Sequence, residues 1–464
     1  MGFMEVAEQV NSFINDIVWG PYMLFFLVGT GVFLTILTGV FQVTKIKVWW
    51  KATFSQLILQ MKGKAGADEA NITPFQAVTT ALASTVGTGN IVGVATAIYR
   101  GGPGAVFWMW VSGFFGMMTK YAEVVLAVKY REIDADGTHH GGPMYYIEKG
   151  LKMKWLAVIF AVFGALAAFG IGNMTQANAI AGSFQETFGI PVWVTGVVIA
   201  ALCALVIIGG IKRIASVTEK LVPFMAVFYI IGSVIILIIN AGKLPGAFGL
   251  IFSGAFSTEA VEGGIMGYVI MRAMRYGIAR GVFSNEAGLG SAPIAHAASN
   301  EKDPVQQGLW GVFEVFVDTI VICSLSALVI VTSGLYNQGL AGADLTLAAF
   351  SGTFGSFGSM FVSVAILCFA GSTILGWTYY GQQCLGYLTG NQKTIDLGYR
   401  IFFCALTIVG AVGGLTFVWD VADTLNGLMA IPNLLALLLL YKTVVTLTKE
   451  YLQRDKISAG PSSE

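Results

Sequence analysis

Two segments of the chain combine glycine with small polar side chains in a pattern that suits the binding of a zwitterion and a cation. Residues 84–93 read Ser-Thr-Val-Gly-Thr-Gly-Asn-Ile-Val-Gly, and residues 283–293 read Phe-Ser-Asn-Glu-Ala-Gly-Leu-Gly-Ser-Ala-Pro. Glycine and proline are weak helix formers, and Asn and Ser side chains compete with the helix for backbone hydrogen bonds. An interrupted helix presents free N–H groups that suit a carboxylate and free carbonyls that suit a small cation. Close helix packing through small residues is the alternative interpretation.

The elements that must position these two segments are membrane-spanning helices. The 464 residues are 56% hydrophobic and 11% charged, with a mean hydropathy of +0.74, whereas a soluble domain averages about 25% charged residues. The formal net charge is zero, which gives no sign of a nucleic-acid partner. The five cysteines form no CxxC pair and no histidine has a second metal ligand at binding spacing. We interpret His139 and His140 as part of a solvated loop.

Eleven apolar runs predict membrane-spanning helices, each of which needs about 20 apolar residues. The runs cover residues 21–43, 74–98, 106–128, 155–184, 192–210, 221–240, 271–298, 308–331, 360–388, 401–414 and 417–446. They are continuous and not alternating, which favours an all-α polytopic membrane protein over a β-barrel.

Basic residues predict the orientation in the membrane. If alternate loops are assigned to the cytoplasm starting with the lysine-rich stretch after residue 43, that side holds 20 of the 26 Lys and Arg residues. The six others are Arg100, Lys120, Lys243, Arg272, Arg275 and Arg280. We therefore expect the amino terminus outside the cell and the carboxyl terminus inside.

The ten spans from residue 74 onward divide into two halves of five, and each half opens with one of the glycine-rich segments. Because five is odd, the halves have opposite topology, and inverted repeats with paired interrupted helices are typical of secondary transporters. The predicted organisation is an N-terminal helix and basic loop (1–72), two inverted repeats (73–241 and 242–446) and a polar cytoplasmic tail (447–464).

Three stretches resemble the alanine or glycine:cation symporter family. They are Gly-Gly-Pro-Gly-Ala-Val-Phe-Trp-Met-Trp at 101–110, Thr-Lys-Tyr-Ala-Glu at 119–123, and Arg-Gly-Val followed by the second glycine-rich segment at 280–293. The resemblance runs from about residue 20 to 445. It implies a LeuT-type core of five plus five helices in the plasma membrane. It also implies uptake of small neutral amino acids, alanine and glycine, coupled to Na⁺ and occasionally to protons.

The resemblance also implies the site residues, through the element Val86-Gly-Thr-Gly-Asn90. Here the N–H groups of Thr88 and Gly89 would hold the substrate carboxylate, while Asn90 would orient the loop, ligate an ion or cap a half-helix. The implied sodium ligands are the carbonyls of Ala83, Val86 and Phe369 and the hydroxyls of Ser372 and Thr373. The full set expected at the substrate is Thr85, Thr88, Gly89, Asn90, Gln176, Phe283, Ser284, Thr373 and Trp377.

Several of these residues have a second interpretation. Gln176 shares a helix face with Asn173, and that polar face would serve either a zwitterion or hydrogen bonds between helices. Trp377 would be a wall that excludes large side chains, or an aromatic packed between helices. Glu286, a carboxylate at membrane depth, would bind the substrate ammonium, relay a proton or pair with a neighbouring helix.

Lys120 and Glu123 are three residues apart and form an expected ion pair or gate element. Glu314 and Asp318 are four apart in another span, with partners that the sequence leaves open. We expect a sodium symporter ahead of a proton-coupled transporter of the same fold, a passive channel or a membrane enzyme. The chain has no GxGxxG and no GxxxxGK[ST] motif, which argues against a dinucleotide enzyme and an ATP-driven pump.

Overall fold

A computed structural model of the chain describes residues 3–61, 71–256, 265–413 and 416–458, and these are mostly helical. The first helices are α1 Phe3–Val18, α2 Pro21–Leu37, α3 Phe41–Thr44, α4 Ile46–Met61, α5 Pro74–Thr85, α6 Val94–Gly101, α7 Ala105–Tyr130, α8 Pro143–Leu151, α9 Lys154–Phe169, α10 Thr175–Phe188, α11 Val192–Ile207 and α12 Gly210–Ile239. They are followed by α13 Leu244–Phe256, α14 Ile265–Asn285, α15 Pro293–Ala297, α16 Pro304–Val315, α17 Ser324–Ser333, α18 Gly342–Phe354, α19 Ser356–Thr389, α20 Lys393–Val412, α21 Thr416–Leu439 and α22 Tyr441–Ser458.

Within the described ranges, eight helical stretches are long and apolar enough to cross a membrane. They are Glu5–Leu37, Ala105–Tyr130, Lys154–Phe188, Gly210–Ile239, Pro304–Ser333, Ser356–Thr389, Lys393–Val412 and Asp420–Leu439. The pair Pro74–Thr85 and Gly89–Gly101, bent by 46°, would be a ninth. The all-helical polytopic class and the interruption of the first glycine-rich span are thus confirmed.

The predicted first span, 21–43, overlaps α2 Pro21–Leu37, and the apolar helical stretch that contains α2 begins earlier, at Glu5. α1 carries an exposed apolar stripe on the face opposite its acidic residues. Val10, Phe13 and Ile17 form this stripe at the three- and four-residue spacing of one helix face.

Two predicted spans are not among these stretches. α11 is only 16 residues long. α14 carries Arg272, Arg275 and Arg280 within its 21 residues. The count of eleven spans therefore stays a prediction, and Lys62 and Lys64 of the basic loop lie outside the described residues.

Three turns of π-helix interrupt the regular helices, at Gly89–Gly93 before α6, Gly170–Met174 between α9 and α10, and Phe316–Cys323 between α16 and α17. Such turns are rare and concentrate at functional sites. The turn at Gly89–Gly93 contacts the turn at Phe316–Cys323, and the turn at Gly170–Met174 contacts α19. These irregular segments surround one region of the interior.

A β-hairpin follows α7, in which β1 (Glu132–Ile133) pairs antiparallel with β2 (His139–His140). Both histidines are buried. His139 Nδ1 lies 2.8 Å from Ser299 O, and His140 Nδ1 lies 2.9 Å from Gln383 Oε1. The interpretation of this pair as a solvated loop is wrong, because the hairpin folds back onto α19 and the segment after α15.

The residues just before α5 and just after α15 are joined through their backbones. Ile72 and Ser299 form a parallel β-bridge, in which the Asn300 N–H donates to Ile72 O at 2.8 Å. Arg131 also bonds to the segment after α15. Its Nη1 donates to Ser299 O and its Nη2 donates to Glu301 O, each at 2.7 Å. We call the region of Ile72, Ser299 and Arg131 the bridged end.

Candidate functional site

The first interruption is stabilised by Asn90. α5 ends at Thr85, and the π-helical turn Gly89–Gly93 comes before α6. Asn90 Oδ1 accepts from the Gly87 N–H at 2.9 Å, while Asn90 Nδ2 donates to Asp318 Oδ1 at 2.6 Å. Asn90 is fully buried, so its side chain fixes the shape of the break from inside the protein.

Gly87 and Gly89 occupy positions where no side chain fits. A Cβ on Gly87 would lie 2.4 Å from Thr373 Oγ1, and a Cβ on Gly89 would lie 3.0 Å from Ser284 Cα. The backbone of the first interruption thus comes into direct contact with α19 and with the end of α14. Two of the predicted substrate residues, Ser284 and Thr373, converge here from far apart in the sequence.

Four of the five predicted sodium ligands lie together. Ser372 Oγ donates to Ala83 O at 3.1 Å and to Phe369 O at 2.8 Å, and Thr373 Oγ1 donates to the same two carbonyls at 3.1 and 3.0 Å. All four residues are buried. Two hydroxyls and two carbonyls therefore form an uncharged oxygen cluster that joins α5 to α19. Val86 lies three residues further along, where α5 ends.

Only two of the nine predicted substrate residues line a cavity of about 440 Å³ that lies beside the first interruption. Thr88 and Phe283 line it, and the Thr88 N–H donates to Gln176 Oε1 over 3.4 Å. Further residues on its wall are Asn178, Glu186, Arg280, Asp344, Asp420 and Asp423. Thr85 points elsewhere, because its hydroxyl donates to Ala81 O in its own helix.

The second glycine-rich segment is non-helical from Glu286 to Ala292, between α14 and α15. Glu286 itself adopts a left-handed conformation with φ of 56°. Glu123 Oε1 accepts from the N–H groups of Gly288 and Gly290 at 3.0 and 3.1 Å and from Asn433 Nδ2 at 2.5 Å. A carboxylate of α7 and an amide of α21 thus hold the unwound backbone.

Glu286 and Trp377 are bonded to each other. Trp377 Nε1 donates to Glu286 Oε1 at 2.8 Å, and Ser291 Oγ donates to Glu286 Oε2 at 2.6 Å. Both residues are buried. The sequence gives these two residues separate roles and contains no signal that they touch.

The ion pair expected between Lys120 and Glu123 forms instead between Lys120 and Glu314. Lys120 Nζ lies 3.3 Å from Glu314 Oε1, and His296 Nε2 lies 3.0 Å from Glu314 Oε2. All three side chains are fully buried. The expected pair fails because Glu123 is taken up by the backbone of the second interruption.

Asp318 is a site residue whose role the sequence does not reveal. Its carboxylate accepts from Asn90 Nδ2 at 2.6 Å, from Ser284 Oγ at 3.1 Å and from Thr319 Oγ1 at 2.8 Å. It therefore joins the first interruption to the end of α14, just before the second. An acidic residue inside an apolar span is a signal in itself, but only the fold reveals its partners.

Comparison with known proteins supports the same interpretation across almost the whole chain. The sequence model of the "Sodium:alanine symporter family" matches residues 4–464. The sodium/alanine symporter AgcS of Methanococcus maripaludis is 50% identical over 459 residues, covering 97% of this chain and 98% of that protein. The probable sodium/glutamine symporter GlnT of Bacillus subtilis is 37% identical over 458 residues, covering 98% and 93%.

Solved structures agree on the fold. The MhsT complex with L-phenylalanine matches with a TM-score of 0.57 at 14% identity, covering 78% of this chain and 89% of MhsT. A Na⁺-coupled sialic acid symporter matches with a TM-score of 0.51 at 14% identity, covering 86% and 82%. MhsT carries the LeuT-type fold that the sequence resemblance implies. With a family match over nearly all of its length and relatives well above 30% identity, the chain belongs to the sodium:alanine symporter family.

Proposed function

We propose that the chain imports a small neutral amino acid, alanine or glycine, together with Na⁺ by alternating access around the two interruptions. Family membership makes it a sodium-coupled amino-acid symporter of the membrane and not an enzyme. The observation that carries the proposal is the oxygen cluster of Ala83, Phe369, Ser372 and Thr373.

Sodium would bind in this cluster, because carbonyl and hydroxyl oxygens replace its hydration shell without adding charge. A bound ion would hold α5 against α19, since Ala83 lies on α5 and the other three residues lie on α19. Binding would therefore favour one relative position of the two helices, which is how an ion gradient biases a conformational equilibrium.

The substrate carboxylate would bind at the N–H groups of Thr88 and Gly89, beside the start of α6. Free N–H groups at a helix start attract anions. Gln176 Oε1 already accepts from the Thr88 N–H, so an arriving carboxylate would displace that amide oxygen. Phe283 and Ser284 would close over the bound molecule, and Trp377 would limit the size of its side chain.

Alternating access would open the two sides of the first interruption in turn. The cavity extends along the π-helical turn and α6, past Val92 and Thr96, whereas the bridged end lies at the start of α5. This arrangement supports a state with the site accessible from the cavity side. The bias of the basic residues supports assigning the cavity to the outside, with the amino terminus outside and the carboxyl terminus in the cytoplasm of the plasma membrane.

We further propose the finer architecture of eleven helices. One N-terminal helix (with the basic loop, 1–72) would precede inverted repeats at 73–241 and 242–446, with a cytoplasmic tail at 447–464. The non-helical segments before α6 and before α15, one in each repeat, support this arrangement.

Uptake of labelled alanine into liposomes tests the coupling. We expect accumulation when an inward sodium gradient is imposed and none when potassium replaces sodium on both sides. Uptake that ignores sodium would contradict the proposal. Uptake that equilibrates without accumulation would indicate a channel.

Proton coupling is the second candidate, and Glu286 favours it as a buried carboxylate whose bonding partners are two neutral donors. A relative in Bacillus subtilis, 38% identical over 473 residues, is named a putative sodium/proton-dependent alanine carrier. Accumulation driven by an inward proton gradient in the absence of sodium would favour this candidate.

A further inference from the structure

Glu286 is held in an unusual conformation by two hydrogen bonds. Its φ of 56° is left-handed, which is rare for a residue with a side chain. Its oxygens accept from Trp377 Nε1 and from Ser291 Oγ. Among the described residues, no Lys, Arg or His nitrogen lies within the 4.0 Å of an ion pair with it. The hydrogen bonds that the Glu286 carboxylate accepts therefore come from two neutral donors.

Trp377 also packs tightly against Gly172 and Tyr380. A Cβ on Gly172 would lie 2.3 Å from Trp377 Cβ and 2.6 Å from Trp377 Cγ, so the ring reaches its position only because residue 172 has no side chain. Tyr380 packs edge-on against the indole with centroids 5.5 Å apart. Packing thus fixes the Cβ and Cγ atoms of Trp377, and the hydrogen bond to Glu286 fixes the indole Nε1.

The bond also joins two different parts of the site. Trp377 lies one helical turn after Thr373 on α19, while Glu286 opens the second interruption. The position of the indole edge therefore depends on the shape of the unwound backbone, which Glu123 and Asn433 hold.

We propose that Glu286 is a positioning residue for substrate size: by accepting the indole N–H it holds the Trp377 ring as the wall that excludes larger amino acids. This inference rests on the proposed function, in which Trp377 lines the substrate site. A pocket discriminates against an additional methylene by roughly 10–200-fold, and only a wall that cannot swing aside sustains such a ratio.

According to this inference, the position of the Trp377 ring depends on a hydrogen-bond acceptor at residue 286 and not on the negative charge of that residue. Glu286→Gln keeps an oxygen that accepts from the indole, and its amide can donate to Ser291 Oγ, which also accepts. Glu286→Ala removes the acceptor. Trp377→Phe keeps most of the ring but removes the N–H, so it breaks the same bond from the other side.

The test is competition by unlabelled valine and alanine against the uptake of labelled alanine into proteoliposomes under an inward sodium gradient. The readout is the ratio of the two inhibition constants, which does not depend on the amount of folded protein. We expect Glu286→Ala and Trp377→Phe each to lower the valine-to-alanine ratio by roughly tenfold. Glu286→Gln should keep the parent ratio, and the double variant should resemble either single variant because both remove one bond.

Three outcomes would overturn the inference. In the first, Glu286→Ala has the same valine-to-alanine ratio of inhibition constants as the parent protein. In the second, Trp377→Phe has the parent ratio. In the third, the ratio in Glu286→Gln is as low as that in Glu286→Ala. Trp377→Ala distinguishes this failure from failure of the proposed function. If Trp377→Ala admits valine while Glu286→Ala does not, Trp377 remains the wall and Glu286 loses its role; if Trp377→Ala excludes valine, the wall itself is disproved. Should Glu286→Ala not fold, Trp377→Phe decides alone.

Discussion

Adjacent hydroxyls on α19 donate to carbonyls of two different helices. Ser372 and Thr373 each bond Phe369 O in their own helix and Ala83 O in α5. Serine and threonine in membrane helices commonly bond their own backbone, so the contact with α5 is the informative one. It brings four oxygens into one cluster, which is the sodium site that we propose.

Removal of one hydroxyl from this cluster should weaken sodium binding. We expect Thr373→Ala to raise the sodium concentration for half-maximal alanine uptake by roughly tenfold, which equals about 1.4 kcal/mol. Thr373→Ser, which keeps the hydroxyl, is the matched control and should stay near the parent value. A parent-like sodium dependence in Thr373→Ala would remove this residue from the ligand set.

At the residue scale the sequence predicts what lies within one motif. Ala83 sits just before the first glycine-rich segment, and Phe369, Ser372 and Thr373 lie in one short stretch of a single span. The sequence does not indicate roles for Asp318 and Asn433, because their partners Asn90 and Glu123 are 228 and 310 residues away. No local pattern encodes such pairings.

At the scale of elements, the second interruption depends on α7 and α21. Glu123 Oε1 accepts three hydrogen bonds there, and Asn433 Nδ2 also donates to Gly288 O at 2.9 Å. An unwound segment in a membrane survives when neighbouring elements satisfy its polar groups. The segment before α15 is therefore supported from outside its own sequence.

Loss of this support should destabilise the protein. We expect Glu123→Ala to lower the free energy of unfolding by more than about 2 kcal/mol, because it leaves buried N–H donors unpaired. The midpoint of thermal unfolding in detergent measures this. Glu219→Ala is the matched control, since Glu219 accepts a part-buried hydrogen bond from Gln76. Equal shifts in both variants would contradict the support role.

The buried pair of Lys120 and Glu314 joins α7 to α16. Removing one partner of a buried pair costs about 3–5 kcal/mol, whereas replacing both is far less harmful. We expect Lys120→Met and Glu314→Gln each to lower thermal stability strongly and the double variant to recover much of the loss. Additive losses in the double variant would show that the two charges do not interact.

Apolar runs predict most of the spans, because burial in lipid requires long uninterrupted stretches of such residues. The prediction is least accurate where a helix is amphipathic. α1 combines an acidic face with an exposed apolar stripe, so its average polarity conceals that the apolar helical stretch before Leu37 begins at Glu5. The hairpin of β1 and β2 is equally hidden, since two-residue strands have no detectable alternation.

At the scale of the whole molecule, the cavity and the bridged end lie on opposite sides of the first interruption. Arg131 donates to the carbonyls of Ser299 and Glu301, which belong to the segment after α15. The planar guanidinium of arginine can donate to several carbonyls at once, with a geometry that the ammonium of lysine cannot match. Arg131 thus joins the end of α7 to the segment after α15, and under the proposed cycle it would help to keep this end closed.

Removal of Arg131 should shift the molecule towards the state open at the bridged end. We expect Arg131→Ala to speed the reaction of a cysteine placed at Ile72 with a polar thiol reagent by roughly tenfold. Arg131→Lys should give an intermediate rate. Arg400→Ala, which removes bonds to Gln382 and Ile208 O, is the control; if it has the same effect, general loosening and not the bridged end is responsible.

The bridge between Ile72 and Ser299 offers a way to measure the opening of the bridged end by hydrogen–deuterium exchange. Its hydrogen bonds run from the Asn300 N–H to Ile72 O and from the Ile72 N–H to Ala298 O, so they cross between two remote parts of the chain. Both bonds would break if this end separated. Deuterium uptake at residues 72 and 300 would therefore report the fraction of molecules in which this end is open, and a ligand that favours the closed form would slow labelling at these two amides.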